Sequence, residues 1–366
     1  MTSLPIGADG LVDRAAVPLS GYTTLRLGGP AARFVSASSA EDVAASVRAA
    51  DTRGERVLVM GGGSNLVIAD AGFPGTVVRV ANRGSEIDSL GEGRVALTVE
   101  AGEDWDAVVC RTVEAGLGGL ECLSGIPGSV GATPVQNVGA YGVEVGQLLI
   151  SVDLLDRASG EIRTLGVDEL GLGYRTSVLK GSERAVVLRV RFELTDGGLS
   201  APIRYTELAR VLGVRQGRQV PVAQARAAVL ELRRGKGMVL DAEDHDTWSV
   251  GSFFTNPIVL DRDLGEVRRR IASRVGEDVP VPQYPAGPGA SKLSAAWLIE
   301  RAGFAKGHRG PGERVTLSSK HTLALTNRGT ATTDDLLTLA RDIREGVMKA
   351  FGVELHPEPV LVDCTI

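Results

Sequence analysis

The chain has 366 residues, 43% of them hydrophobic, and at about 150 residues per domain this suggests two or three domains with sizeable cores. Acidic residues number 45 against 40 basic ones, a net charge of -5 with the signs interspersed. That excludes nucleic acid as the main partner, yet it leaves room for an anionic small ligand held by a local Arg or Lys cluster. Residues 1–20 carry no basic head followed by an apolar run, no stretch approaches the roughly 18 to 20 apolar residues that span a bilayer, and Cys110, Cys122 and Cys364 show no CxxC spacing. These features predict a cytoplasmic protein with no membrane partner.

Residues 31–80 read as strand, helix, strand, Gly-rich loop and strand: AARFVSAS, EDVAASVRAADT capped by Ser39, RVLVM, GGGSNLVIAD and TVVRV. A second α/β piece follows, with RVALTVEAG as an alternating strand and Asp104 capping a helix that carries Trp105, Val108, Val109 and Val113 on one face. From residue 148 to 194 the signals turn to antiparallel sheet. SVDLLD and EIRTL flank the turn residues 158–160, and AVVLRVRFEL reads as a buried strand. After the polar segment GVRQGRQVP, helical periodicity returns in VAQARAAVLELRRG, and a boundary is expected there, with a third piece beginning near Val222. That piece holds three amphipathic stretches, one of them a helix expected to begin at Lys292 in ASKLSAAWLIERAGF and the last with Leu336, Ala340, Ile343, Val347 and Phe351 as one stripe, and a Pro/Gly-rich loop, PQYPAGPGAS.

Four segments can carry chemistry. GGGSN, directly after VLVM, is either a tight connection or a cradle whose backbone N–H groups receive phosphate; it is not the GxGxxG of a dinucleotide fold. Residues 126–142, IPGSVGATPVQNVGAYG, are an irregular loop on a bare reading. They also offer many backbone donors for a pyrophosphate and amides for a planar ring. YRTSVLK groups Tyr174, Arg175, Ser177 and Lys180, as a solvated basic turn or as an anion site, and GSFFTNP sets Ser252 beside two aromatics with no His near enough for a nucleophilic triad.

In this order, GxGSNL, IPGxxGxxxxQNxGAYG, YRxSxxK, GSFFxNP and a terminal PE are recurring motifs of the UDP-N-acetylenolpyruvoylglucosamine reductases (MurB), and the chain resembles that family over nearly its whole length. The resemblance implies an α+β fold. A two-part FAD-binding region, similar to the vanillyl-alcohol-oxidase-like flavoproteins, would comprise residues 1–77, with 356–366 returning to it, and 78–215. A C-terminal α+β substrate-binding domain would cover 222–352. TTLRLGG, residues 23–29, would help at the N-terminal edge. Non-covalent FAD would lie on Gly61, Gly62, Gly63, Ser64, Asn65 and Leu66, and on Ile126, Pro127, Gly128, Ser129, Gly131, Ala132, Gln136, Asn137, Gly139, Ala140 and Tyr141.

By the same resemblance the catalytic trio is Arg175, which stabilises charge on the substrate carboxylate, Ser252, which protonates the substrate carbon, and Glu358, near that carboxylate. Tyr174, Tyr205, Lys236, Asn256 and Lys292 would contact a UDP-sugar, with NADPH as co-substrate, in a protein expected to be a monomer. The chain departs from the family at Thr255, His356 and Pro359, and carries an acidic insertion, LDAEDHDTW, between Lys236 and Ser252. The four histidines, His245, His308, His321 and His356, lack metal-site spacing, so no metal is expected. The competing enzyme is an FAD-dependent alcohol or sugar oxidase of the same flavin-binding fold. Histidyl attachment of its flavin is ruled out in residues 1–244, because no histidine precedes His245.

Overall fold

A computed structural model describes residues 12–366, so the reading of the first eleven residues as free of a leader lies outside the described part. Contacts divide the chain into two compact units. The first comprises the residues up to Val17, Pro30–Gly63 and Phe73–Gly235, and the second Pro18–Gly29, Ser64–Gly72 and Lys236–Ile366.

The first unit is built on two large sheets, with a short antiparallel pair, Gly139–Ala140 with Val143–Glu144, beside them. The strands Val12–Pro18, Pro30–Ala37, Phe73–Val80 and Val57–Met60 lie side by side in that order, and the last three run parallel. Parallel strands need a crossover, and helix α1 (Ala40–Thr52) makes the one from Pro30–Ala37 over Phe73–Val80 to Val57–Met60; Ser39 Oγ accepts from Asp42 N at 3.0 Å and so caps it as the sequence predicts. The second sheet is antiparallel, in the order Ile162–Gly166, Leu149–Asp156, Ala185–Asp196, Arg94–Glu100 and Ser85–Gly91. Its long central strand alternates buried Leu188, Val190, Phe192 and Leu194 with more exposed residues, the period a half-covered sheet requires. Helix α2 (Trp105–Glu114) is capped by Asp104 Oδ1 on Ala107 N at 2.9 Å and inserts a fully buried Trp105, edge-on to Phe192 at 5.9 Å. The indole N–H donates to Leu123 O at 3.0 Å, so this large apolar group brings no orphaned donor inside. Helices α3 (Thr206–Leu212) and α4 (Val222–Gly235) complete the unit. The sequence places α4 at the start of the third piece, but Ala225, Ala228 and Val229 are buried in the first unit's core.

The second unit is built around helix α7 (Thr333–Phe351), which follows α5 (Asp261–Val275) and α6 (Ala295–Ala302) in the chain. The predicted stripe Leu336, Ala340, Ile343, Val347 and Phe351 is fully buried. The N-terminus of α7 is satisfied twice: Thr332 and Asp335 form a capping box, and the Asp70 carboxylate accepts from Thr333 N at 2.8 Å and Asp334 N at 3.0 Å. A three-stranded sheet (Ile258–Leu260, Ala290–Leu293, Gln283–Pro285), a hairpin (Val315–Leu317 with Leu325–Asn327) and the parallel pair Leu66–Ile68 with Val360–Val362 complete it. The Pro/Gly-rich stretch expected as a loop therefore holds the whole of Gln283–Pro285 and the start of Ala290–Leu293, and Lys292, expected to begin a helix, lies in the latter. Helix α6 starts only at Ala295, where Ser294 Oγ accepts from Trp297 N. Among the described residues no helix is long and apolar enough to cross a membrane.

Candidate active site

Within the first unit the two Gly-rich segments meet. A Cβ on Gly61 would lie 2.0 Å from Ser129 Oγ, and one on Gly62 would lie 2.8 Å from Gly128 Cα. Only glycine lets these backbones approach so closely, and two stacked bare-backbone loops are a cradle suited to the pyrophosphate and ring of a dinucleotide such as FAD. The second loop is fastened below: Gly131 N donates to Ala101 O at 2.8 Å, and Ser177 Oγ to Val135 O at 2.6 Å.

Asn137 and Tyr141 in this loop and Arg175 in YRTSVLK have φ of 46°, 50° and 54°, left-handed values rare for side-chain-bearing residues. Asn137 is held by its amide: Nδ2 donates to Glu144 Oε2 at 3.0 Å and Gly173 O at 3.1 Å, while Oδ1 accepts from Gly146 N at 2.9 Å. Arg175 donates from Nη2 to Gly139 O at 2.9 Å, and its own carbonyl accepts from Lys180 Nζ at 2.9 Å. One guanidinium edge is thus committed to the flavin-type loop, fixing the plane of the rest. Tyr141 and Tyr205 meet edge to face at 5.4 Å, while Tyr174 and Tyr205 stay 42% and 43% exposed.

A residue the sequence reading missed is Arg233, on the last turn of α4. It is half-buried and donates to Gly125 O at 3.2 Å, immediately before the 126–142 loop. Burial pushes its pKa down to about 10, so it remains cationic at neutral pH. Next to it, burial pushes the Asp106 carboxyl up, but the hydrogen bonds from Arg226 at 2.7 Å and Gly125 N at 2.6 Å prevail and hold it below the usual carboxylate range.

The second unit gathers Ser64, Asn65, Leu66, Lys236, Ser252, Asn256, Lys292 and Glu358. Ser252 and Glu358 are brought together by backbone: Glu358 N donates to Phe253 O at 2.9 Å, and Phe254 bridges Pro357. Asn65 joins them, its backbone carbonyl accepting from Val360 N at 2.9 Å. Phe253 and Phe254, 0% and 1% exposed, anchor the half-buried Ser252 to the core. Asn256 Oδ1 accepts from Ala295 N at 2.9 Å, which commits its oxygen to α6 and leaves Nδ2 as a donor. Lys292 stands opposite Ile258 and Tyr284 across the three-stranded sheet. Thr24, from the TTLRLGG segment, donates to Ser249 O at 2.6 Å and so braces the approach to Ser252.

The acidic insertion is a folded knot. Asp246 is buried and accepts from Arg328 Nη1 at 2.9 Å and from Ser319 N and Oγ at 3.2 and 2.5 Å, while Asp244 pairs with Lys320 at 2.5 Å. A Cβ on Gly237 would meet Asp246 O at 3.1 Å, so the knot packs directly behind Lys236.

Comparison with known proteins agrees with this division. An FAD binding domain matches residues 31–166, and the C-terminal domain of UDP-N-acetylenolpyruvoylglucosamine reductase matches residues 243–362. An FAD binding domain joined to this reductase's C-terminal domain marks the chain as an FAD-dependent, NADP-linked oxidoreductase. The chain is 67% identical over 364 residues to the UDP-N-acetylenolpyruvoylglucosamine reductase of Saccharopolyspora erythraea, covering 98% of this chain and 100% of the relative. It is 53% identical to that of Mycolicibacterium smegmatis, covering 96% of both chains. The crystal structure of the Thermus caldophilus enzyme (MurB) superposes with a TM-score of 0.63 at 26% identity, covering 96% of this chain and 98% of that one. The chain belongs to the UDP-N-acetylenolpyruvoylglucosamine reductase family.

Proposed function

We propose that the protein catalyses NADPH-dependent reduction of the enolpyruvyl group of UDP-N-acetylglucosamine enolpyruvate to UDP-N-acetylmuramate, a step of peptidoglycan precursor synthesis. The observation that carries this reading is the backbone tie from Glu358 N to Phe253 O, which sets a proton-donating hydroxyl and a carboxylate on one rigid frame. FAD, held non-covalently by residues 61–66 and 126–141, supplies when bound the hydride chemistry that no side chain offers. Arg175, its plane fixed on Gly139, pairs with the substrate carboxylate and stabilises the negative charge that grows there. Glu358 orients the same end of the substrate, and Ser252 Oγ donates its proton to the substrate carbon.

Tyr174, Tyr205, Lys236, Lys292 and the Asn256 amide nitrogen bind the UDP-sugar. The first unit, α4 included, acts as the flavin-binding part and residues 236–352 as the substrate domain, in a cytoplasmic monomer. The test is a half-reaction experiment. NADPH should bleach the flavin of Ser252→Ala as in the wild type, while reoxidation by the enolpyruvyl substrate slows by roughly 100-fold or more. Reoxidation at the wild-type rate removes Ser252 as the acid, and oxygen-linked turnover of a simple alcohol would favour the oxidase reading.

A further inference from the structure

Residues 199–221 carry four arginines, Arg204, Arg210, Arg215 and Arg218, against one glutamate, Glu207, in a chain whose overall charge is negative. All four arginines are exposed, and none has a hydrogen-bond or ion-pair partner for its guanidinium among the described residues. This is unusual company in a unit where Arg33, Arg157, Arg189 and Arg226 all have carboxylate partners.

The segment is not loose. Ile203 is fully buried, Ile203 N donates to Arg218 O at 2.9 Å and Gly217 N to Ile203 O at 2.8 Å, and Gln216 Nε2 reaches back to Arg204 O at 2.9 Å and Thr206 Oγ1 at 2.8 Å. Arg204 is therefore fastened beside the 215–218 turn. It also lies at the edge of the flavin-type loop: a Cβ on Gly142 would sit 3.2 Å from Arg204 Cβ, and the next residue, Tyr205, packs on Tyr141. Like charges held together without counter-ions at the rim of a nucleotide site repel one another unless an anion arrives.

We propose that Arg204, Arg215 and Arg218 form the pocket for the 2′-phosphate of NADPH and set the preference for NADPH over NADH. The inference rests on the reductase reading above. NADPH and the UDP-sugar both bring a diphosphate, which Tyr205 and Lys236 serve; the 2′-phosphate is the one dianionic group that distinguishes the phosphorylated reductant, and guanidinium forks match it in charge and geometry.

The experiment is stopped-flow reduction of the FAD-loaded enzyme by NADPH and by NADH, comparing wild type with Arg204→Gln, Arg218→Gln and the triple variant R204Q/R215Q/R218Q. Arg184→Gln, exposed elsewhere in the same unit, serves as the charge control. The NADPH-to-NADH ratio of kcat/KM is expected to fall by roughly 10- to 100-fold for each arginine that reaches the phosphate, and not in the control. In the wild type, adenosine 2′,5′-bisphosphate should inhibit NADPH oxidation at far lower concentration than adenosine 5′-monophosphate. This second measurement depends on no variant folding.

An unchanged ratio, an equal fall in Arg184→Gln, equal inhibition by the two adenosine nucleotides, or a change confined to the KM for the UDP-sugar would each overturn the proposal. Substrate-independent NADPH oxidation in the wild type would instead sink the reductase reading itself.

Discussion

Gly62→Ala tests whether the two Gly-rich loops form the flavin cradle. The new methyl would lie 2.8 Å from Gly128 Cα and 3.0 Å from Gly128 C, and both are backbone atoms that cannot swing aside. Ordinary carbon contact begins at about 3.5 Å, so the loops must part by about 0.7 Å. Overpacking of this kind costs roughly 1–3 kcal/mol. If FAD is held by both loops at once, that cost appears as weaker binding, roughly a 5- to 150-fold rise in Kd. The control is Gly265→Ala on the exposed face of α5, where the methyl meets nothing within 4 Å. It should raise stability by up to about 1 kcal/mol and leave FAD binding alone. Flavin-fluorescence quenching on titrating apoprotein gives Kd, and urea unfolding of the same samples gives stability. A Gly62→Ala protein that is folded and binds FAD within twofold of wild type would refute the cradle.

Other consequences are as direct. Asp246→Asn leaves Arg328 facing an uncharged amide and should destabilise the protein by about 1–3 kcal/mol in urea unfolding; a loss below about 0.5 kcal/mol would reduce the knot to a solvated charge run. Burial pushes the Cys122 thiol up to about 12, so iodoacetamide at neutral pH should label the half-buried Cys110 in the native protein while Cys122 reacts only on unfolding, as mass spectrometry can show. The hydrogen bond from Arg314 holds the Asp335 carboxyl down to about 2, below its ordinary value of 3.8. A group depressed in the folded state stabilises fully above its unfolded pKa and loses that contribution as pH falls through its folded one. The melting-temperature gap between wild type and Asp335→Asn should therefore be constant above about pH 5 and close between pH 4 and 2; a gap that widens on acidification would contradict it.

Local chemistry was legible in the sequence and distant chemistry was not. Ser39 and Asp104 announce their helices because a cap acts within three residues, and the α7 stripe shows because burial repeats every three or four positions. Residues 283–293 hid their strands because prolines and glycines mark turns by composition, while the pairing that makes them strands comes from Ile258–Leu260. Lys292 was drawn into the helix that follows by the apolar period of LSAAWLIE, although Ser294 was the available stop signal. In the candidate site, the glycine contacts and the Arg175 anchor fall where the motifs pointed. Arg233 could not be foreseen: a basic residue at a helix C-terminus ordinarily faces water, and its acceptor Gly125 lies 108 residues earlier in the chain.

The tight fold of the acidic insertion suits the proton-donor role proposed above for Ser252. Gly251, with φ of 75°, turns the chain just before it, and such a turn has little stiffness of its own. The structure restrains both sides instead. Upstream, Asn327 N donates to Trp248 O at 3.1 Å and Thr24 Oγ1 to Ser249 O; downstream, Phe253 N donates to Leu323 O at 2.8 Å and its carbonyl receives Glu358 N. Proton delivery requires the donor within about 3 Å of the acceptor, and a displacement near 1 Å can cost about 100-fold in rate. A hydroxyl on so short a side chain cannot correct for a drifting backbone as a lysine can. The Asp246–Arg328 pair fixes the stretch in which Trp248 and Ser249 lie, so on this reading the insertion belongs to the frame that aims the acid.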